Sequence, residues 1–281
     1  MDIISNILPY FKKELRGFIN EREIVSIYYI VIENLFDFNR SDSILNYNYR
    51  ISNKERDHIT AIIYDLKRNR PIQYILGKTK FCELDFQVSE SVLIPRPETE
   101  ELVKWIVESA EGNNKFLDIG TGSGCIIISL SKYLTGNFFG IDISLNALEV
   151  ARENNRINNT NVYFQYLDII NDDFEKNIYF DIIVSNPPYV LESEKKFLGN
   201  NVLDFEPHMA IFVHDHDPLF FYAVIANKAT NILNKGGLLY FEINERYGNA
   251  VCSMLHDLGF VNIQLKKDIN DKERMIKATW K

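Results

Sequence analysis

From Lys115 to the C-terminus, short apolar runs alternate with amphipathic segments, and no other feature of the chain restricts its fold as much. The segments read FLDI, CIIISLSKYL, FFGI, LNALEVARENN, VYFQYL, FDIIVS, DPLFFYAVIANKATNIL, GGLLYFEI and ERYGNAVCSMLHDLGF. Strand, helix and strand repeated in this way bury their apolar surface as a parallel sheet covered by helices on both faces. The last stretch breaks the alternation. FVNIQLKKD and ERMIKATWK are two strand-like runs joined by a polar turn without a helix, which predicts a closing antiparallel strand. The expected class is therefore α/β, a doubly wound, mostly parallel sheet.

Residues 1 to about 75 follow a different period. Ile24, Ile27, Tyr28, Val31 and Leu35 recur at three-and-four spacing, the stripe of an amphipathic helix. Ser52-Asn53-Lys54-Glu55 is a capping box announcing a further helix with Ile59, Ile62, Ile63 and Leu66 on its core face. After Gly77 the pattern shortens to FCELDFQV, read as a hairpin or extended linker before the prolines of LIPRPETE. The predicted layout is a helical domain over 1–75, a hairpin or linker over 76–95 and an α/β domain over 96–281.

A chain of 281 residues accommodates two such domains. Its 31 basic and 39 acidic side chains leave a net charge of −8, with the excess acid in the C-terminal two thirds. A polyanion is not the natural partner of such a surface. Cys82, Cys125 and Cys252 are far apart and form no Cys-x-x-Cys pair, so neither a disulfide framework nor a zinc site is expected. The first residues lack the pattern of a secretory leader, and Ile24 to Phe36 is too short to span a bilayer. A soluble, cytoplasmic protein without membrane contact is the expectation.

FLDIGTGSG is an apolar strand running into Gly120-Thr121-Gly122-Ser123-Gly124 and then directly into a helix. Glycines serve where backbone must approach a ligand closely and adopt angles a side chain forbids. Dinucleotide sites usually show G-x-G-x-x-G, whereas this loop is G-x-G-x-G, with Asp118 before it and no basic residue inside. An acidic entry suits a cationic ligand end. S-adenosylmethionine, with an ammonium, a sulfonium and no phosphate, is the better chemical match. Asp142, ending the next strand in FFGID, is placed to accept ribose hydroxyls, which either ligand would use.

FDIIVS ends in Asn186-Pro187-Pro188-Tyr189. Ligands of open α/β sheets bind beyond the C-terminal ends of the strands, so this loop faces the same crevice as the glycines. Two prolines fix consecutive φ angles and remove two N–H donors, which leaves a stiff, acceptor-rich loop. The Asn186 side-chain oxygen and the Pro187 carbonyl can each accept one N–H of a planar NH₂ group. Such acceptors favour a partly tetrahedral nitrogen over the conjugated ground state and aim its lone pair at a methyl donor. Tyr189 offers an aromatic face to the planar group. No strong general base is demanded, because the nitrogen becomes acidic only as it acquires the methyl group.

With these segments the chain resembles the class I S-adenosylmethionine-dependent methyltransferases, and among them the peptide chain release factor glutamine methyltransferases of the HemK/PrmC type. The resemblance is carried by PIQYILGKTKF, LIPRPETEELV, FLDIGTGSGCIIISL, GIDISLNALEVARENN, FDIIVSNPPYV, FEPHMAI, GGLLYFEI and KDINDKERMIKA, which together cover nearly the whole chain. It implies a seven-stranded Rossmann-like domain and transfer of a methyl group to the side-chain amide of the glutamine in the Gly-Gly-Gln tip of a release factor. The helical domain would help grip that protein. The implied cofactor set is Asp118, Gly120, Thr121, Gly122, Ser123, Gly124, Asp142, Ile169 and Asn186. The implied acceptor set is Asn186, Pro187, Pro188, Tyr189 and Glu98, with Asn186, Pro187 and Tyr189 catalytic and no metal. Ile169 stands where the family commonly has an aromatic over the adenine. Glu242-Ile243-Asn244 replaces the usual Glu-Ile-Gly, and HDHDPLFFY replaces a glycine-rich segment.

His214 and His216 alternate with acids in HDHD, but without a partner cluster they read as a solvated turn, with Asp217-Pro218 opening the next helix. His208 reads as a surface histidine near the crevice, and Phe220, Phe221 and Tyr222 as core. An amino methyltransferase of adenine or guanine in DNA or RNA shares the NPPY chemistry, yet it needs a basic groove that the acidic domain does not offer. A nicotinamide oxidoreductase would leave NPPY without a role. A non-catalytic binding module would bind cofactor without turnover.

Overall fold

The computed structural model describes residues 2–281. A first compact unit extends to Gly77 and also takes in Gly199–Phe205. Its helices up to Gly77 are α1 (Ile7–Glu14), α2 (Glu21–Phe36), α3 (Arg40–Leu45), α4 (Asn53–Leu66) and α5 (Ile72–Leu76). Ile24, Ile27, Tyr28 and Val31 of α2 are buried against Ile7 and Phe11 of α1 and the Ile59, Ile62, Ile63 and Leu66 stripe of α4, while Leu35 is only partly buried there. The capping box at Ser52 is present: its hydroxyl accepts the Glu55 N–H, and Glu55 accepts the Ser52 N–H at 2.6 Å.

The second unit comprises Lys78–Leu198 and Glu206–Lys281. It opens with an antiparallel hairpin, β1 (Lys78–Phe81) and β2 (Leu84–Gln87), turned by Cys82 and Glu83 at φ 47° and 61°. Positive φ at both central positions gives the twist that a two-residue hairpin needs, here without glycine. There follow α6 (Pro97–Ser109), β3 (Asn114–Ile119), α7 (Cys125–Tyr133), β4 (Gly136–Asp142), α8 (Leu145–Ile157), β5 (Val162–Tyr166) and β6 (Phe180–Ser185). The chain continues through β7 (Val190–Leu191), α9 (Asn200–Phe205), β8 (Phe212–Val213), α10 (Phe220–Ile232), β9 (Leu233–Glu242), α11 (Gly248–Asp257), β10 (Val261–Lys267) and β11 (Glu273–Thr279).

The main sheet has the order β10-β11-β9-β6-β3-β4-β5. The antiparallel strand expected at the C-terminus is β11, which inserts between β9 and β10 and runs against both, so that β10 forms the edge. Along β3 the pleat sends Phe116 into one core, with α6, α7 and α8, and Leu117 into the other, with α10 and α11. Helices cover both faces, which is why the strands read as continuous apolar runs rather than as alternating ones. The helix after HDHD begins at Phe220. Asp217 and Pro218 lie in the preceding turn rather than in its first turn.

The topology also decides where ligands can sit. From β3 the chain winds outward through β4 and β5, and it later returns to the other side of β3 as β6. The strand order thus reverses between β3 and β6, and a crevice opens beyond their C-terminal ends. Ile119 pairs with Ser185 in that register, and the Ser185 hydroxyl donates to the Ile119 carbonyl at 2.7 Å. The glycine loop and the Asn-Pro-Pro-Tyr loop therefore leave the sheet from adjacent residues.

Candidate active site

A cavity of about 340 Å³ occupies this crevice. Gly120, Thr121, Gly122 and Ser123 line it from β3, Asp142 from β4, Ile169 from the segment after β5, and Asn186, Pro187 and Pro188 from β6. Most of the residues singled out in the sequence meet here, although they come from four strand ends. Asp118, Gly124, Tyr189 and Glu98 do not line the cavity. Their surroundings give each a different place.

The glycine loop is braced on β4: the Gly120 and Thr121 N–H groups both donate to the Ile141 carbonyl at 2.9 Å. Gly120 and Gly122 have φ of 74° and 54°, and a Cβ at either would project into open space, so these two leave room for a ligand. Gly124 does another job. At φ 79° its missing Cβ would sit 2.8 Å from Ile128 Cδ1 and 3.3 Å from Ala151 Cβ, so it lets α7 close onto α8.

Asp118 is fully buried beneath the loop, with Oδ2 accepting the Thr121 hydroxyl at 2.7 Å. Its Oδ1 has no hydrogen-bond partner. Burial pushes this carboxyl up to about 7, against the pull of the Thr121 hydroxyl and the Ile127 N–H nearby and with a further push from Asp142. Behind the loop and outside the cavity lining, this carboxyl favours a cationic ligand end through charge rather than contact. Asp142 holds Gly122 N–H on Oδ2 and Ser144 N–H on Oδ1, both at 2.8 Å. Each oxygen keeps a second lone pair. Burial raises this carboxyl too, opposed by those backbone donors.

On the acceptor side, Pro187 is buried and Asn186 half-buried at the cavity wall. The Asn186 Nδ2 donates to Thr99 Oγ1 at 3.4 Å, and Thr99 in turn donates to Glu242 Oε2 at 2.6 Å. Tyr189, expected to offer its ring to the acceptor, is set back from the cavity with its hydroxyl donating to Glu242 Oε1 at 3.0 Å. Asn244, where a glycine is the family's habit, donates from Nδ2 to the Tyr189 carbonyl at 3.1 Å. Burial raises Glu242, while the Thr99 and Tyr189 hydroxyls and Arg274 work against it. Glu98, in the first turn of α6, accepts from Asn270 at 3.4 Å.

Three groups were not singled out in the sequence. Asn154 of α8, fully buried, accepts the Gln87 N–H at 2.6 Å and donates to the carbonyls of Gln87 and Ser123 at 3.0 and 2.9 Å, tying hairpin and glycine loop together. Arg96, at the cavity wall, pairs at 2.6 Å with Glu206, whose other oxygen accepts Ile94 N–H. Thr99 and Glu242 complete the set. Asn154, Glu206 and Glu242 are polar residues inside otherwise amphipathic or apolar segments, the single local sign of a structural duty. Outside the cavity, His208 packs edge-on against Phe212, His214 and His216 stack, and Asp215 accepts the Ser193 hydroxyl at 2.8 Å.

Residues 110–281 match the family model described as a methyltransferase domain, and residues 7–77 match that of the PrmC N-terminal domain. A release factor glutamine methyltransferase of Flavobacterium psychrophilum is 44% identical, covering 99% of this chain and all of its own length. One of Bacteroides thetaiotaomicron is 40% identical, covering 98% of this chain and 99% of its own. In fold, a crystal structure of a methyltransferase from Pyrococcus furiosus covers 81% of this chain and 98% of its own at a TM-score of 0.53 and 18% identity. The strand order, the paired loops at the switch point and relatives aligned from end to end agree: the chain belongs to the release factor glutamine methyltransferase family.

Proposed function

We propose that the protein transfers a methyl group from S-adenosylmethionine to the side-chain amide nitrogen of the Gly-Gly-Gln glutamine in class I peptide chain release factors. The observation that carries this reading is the adjacency of the glycine loop and the Asn186-Pro187-Pro188-Tyr189 loop on paired strand ends, in a chain whose relatives bear that name. The donor pocket fits the cofactor: open space over Gly120 and Gly122 and free lone pairs on Asp142, with the Asp118 carboxyl behind the loop adding negative charge. Ile169, with Ile143 and Ile170 of the same cavity wall, offers apolar contact to the adenine. Bound there, S-adenosylmethionine supplies a methyl group activated by its sulfonium.

The residues of the chain do the rest by placement. Asn186 Oδ1 and the Pro187 carbonyl accept the two N–H groups of the glutamine amide, which favours a pyramidal nitrogen and turns its lone pair toward the donor. The N–C bond forms as the C–S bond of the donor breaks, and the nitrogen, made acidic by the methyl group, gives one proton to water. Pro187 and Pro188 keep those acceptors from collapsing onto one another. Tyr189 anchors the loop from behind, and Glu98 stands at the start of α6 on the approach to the acceptor side. The acidic domain suits a basic protein tip that docks on ribosomal RNA, and the helical unit grips that partner. A partner of the translation machinery favours a cytoplasmic location. No helix among the described residues is long and apolar enough to cross a membrane.

The test is incubation with methyl-labelled S-adenosylmethionine and a release factor, followed by mapping of the label by mass spectrometry. Label on the glutamine of Gly-Gly-Gln is expected. Label on nucleic acid instead, or none on that glutamine, defeats the assignment.

A further inference from the structure

The Asn186 amide can present either its oxygen or its NH₂ to the cavity, and only the oxygen helps a glutamine N–H. The groups behind it decide which. Thr99 has one hydroxyl proton, and the Glu242 carboxylate, 1% exposed, takes it at 2.6 Å. Toward Asn186 the Thr99 oxygen can then only accept, so the NH₂ end turns to it and Oδ1 is left for a donor in the cavity. With Asn186 reversed, two acceptors would face one another, or Thr99 would surrender Glu242 Oε2 to a buried site without a partner. The other oxygen of Glu242 holds the Tyr189 hydroxyl, and Asn244 holds the Tyr189 carbonyl. One carboxylate thus acts on both ends of the four-residue loop.

Topology explains the meeting. Ser185 pairs with Phe241 across β6 and β9, so the next residues, Asn186 and Glu242, emerge at the same level. Thr99, in the first turn of α6, stands between their side chains.

We propose that Thr99 and Glu242 are positioning residues: the carboxylate fixes the direction of the Thr99 hydroxyl, which fixes the Asn186 amide with its oxygen toward the substrate glutamine. This rests on the reaction proposed above. Thr99 lines the cavity, but its hydroxyl and the Glu242 carboxylate are engaged with Asn186, Tyr189 and each other rather than with the glycine loop or Asp142, so the pair acts on orientation rather than on donor binding.

Thr99→Val removes the hydroxyl at nearly constant shape. Its kcat for the release factor is expected to fall about 10- to 100-fold, with the dissociation constant for S-adenosylhomocysteine within twofold and the melting temperature lower by a few degrees because Glu242 Oε2 loses its donor, while Thr99→Ser returns to within threefold of the unaltered enzyme. Because Thr99 acts through Asn186, adding Thr99→Val to Asn186→Ala should slow turnover no further. Wild-type kcat in Thr99→Val, a Thr99→Ser as slow as the valine variant, or fully additive losses would each overturn the proposal. Should Thr99→Val fold poorly, Thr99→Ala introduces no clash and carries the same expectation. An unaltered enzyme that leaves the glutamine unmethylated defeats the reaction instead. In that case the side-chain NH₂ resonances of Asn186 in ¹⁵N-labelled protein still decide: they shift in Thr99→Ser and Thr99→Val if the contact exists, and an unmoved pair in both refutes it.

Discussion

Asp118 offers a perturbation with two readouts of opposite sign. Its carboxyl, fully buried and pushed up to about 7 from an ordinary 3.8, is more easily protonated in the fold than in the unfolded chain. As pH rises from about 4 to 7 the unfolded chain sheds the proton freely while the folded chain resists, so Asp118 lowers stability progressively across that window and by a constant amount above it. Asp118→Asn removes the titration. Between pH 5 and pH 8 the advantage of the variant over the parent should therefore grow by roughly 2 to 3 kcal/mol, at 1.36 kcal/mol per pKa unit. Costs of asparagine that do not depend on pH cancel in that difference.

Urea unfolding followed through Trp105 and Trp280, both in the second unit, measures it at several pH values. Ligand binding should move the other way. If the ionised Asp118 favours a cationic ligand through its charge from behind the loop, the affinity of the parent for S-adenosylmethionine rises by up to about tenfold from pH 6 to pH 8, because at one unit below its pKa about nine tenths of Asp118 is protonated. Asp118→Asn should bind weakly at both. Stability curves that run parallel from pH 5 to pH 8 would refute the reasoning, and so would an undiminished affinity in the variant.

Other consequences follow from single contacts. Asn186→Ala should lower kcat by about 100-fold, in the range found when one preorganised donor or acceptor is removed, with cofactor affinity held within threefold by calorimetry. Gly124→Ala combines a left-handed backbone with a Cβ 2.8 Å from Ile128 and should cost about 2–4 kcal/mol in urea unfolding. Gly122→Ala, whose Cβ meets nothing, should cost no more than about 1–2 kcal/mol yet weaken cofactor binding, because its methyl enters the cavity; equal stability losses in the two glycine variants would contradict this division of labour. Asn154→Ala gives up three hydrogen bonds of a fully buried side chain and should lose about 3 kcal/mol, a loss under 1 kcal/mol showing that water replaces them.

Local periodicity was enough to read the α/β alternation, the helical N-terminal segment and the capping box at Ser52, since each depends on residues within one or two turns of each other. The two loops at the switch point were legible for the same reason: glycines at alternate positions and a proline pair restrict their own backbone wherever they are placed. The 190–213 stretch, with its short β7, α9 and β8, gave no such period and was not anticipated. Nor was the place of β11 between β9 and β10, because two adjacent strand-like runs do not reveal which one forms the edge.

Only packing could bring Thr99 to Glu242 across 143 residues, Asn154 to Gln87 and Ser123, and Arg96 to Glu206. It also drew Tyr189 away from the cavity and onto Glu242, where its hydroxyl found a buried acceptor. The chain alone determined which loops are open and which are stiff, because φ freedom and φ restriction are properties of glycine and proline themselves. Which way the Asn186 side chain faces was decided by the fold, because a hydrogen bond takes its direction from the partner that burial supplies.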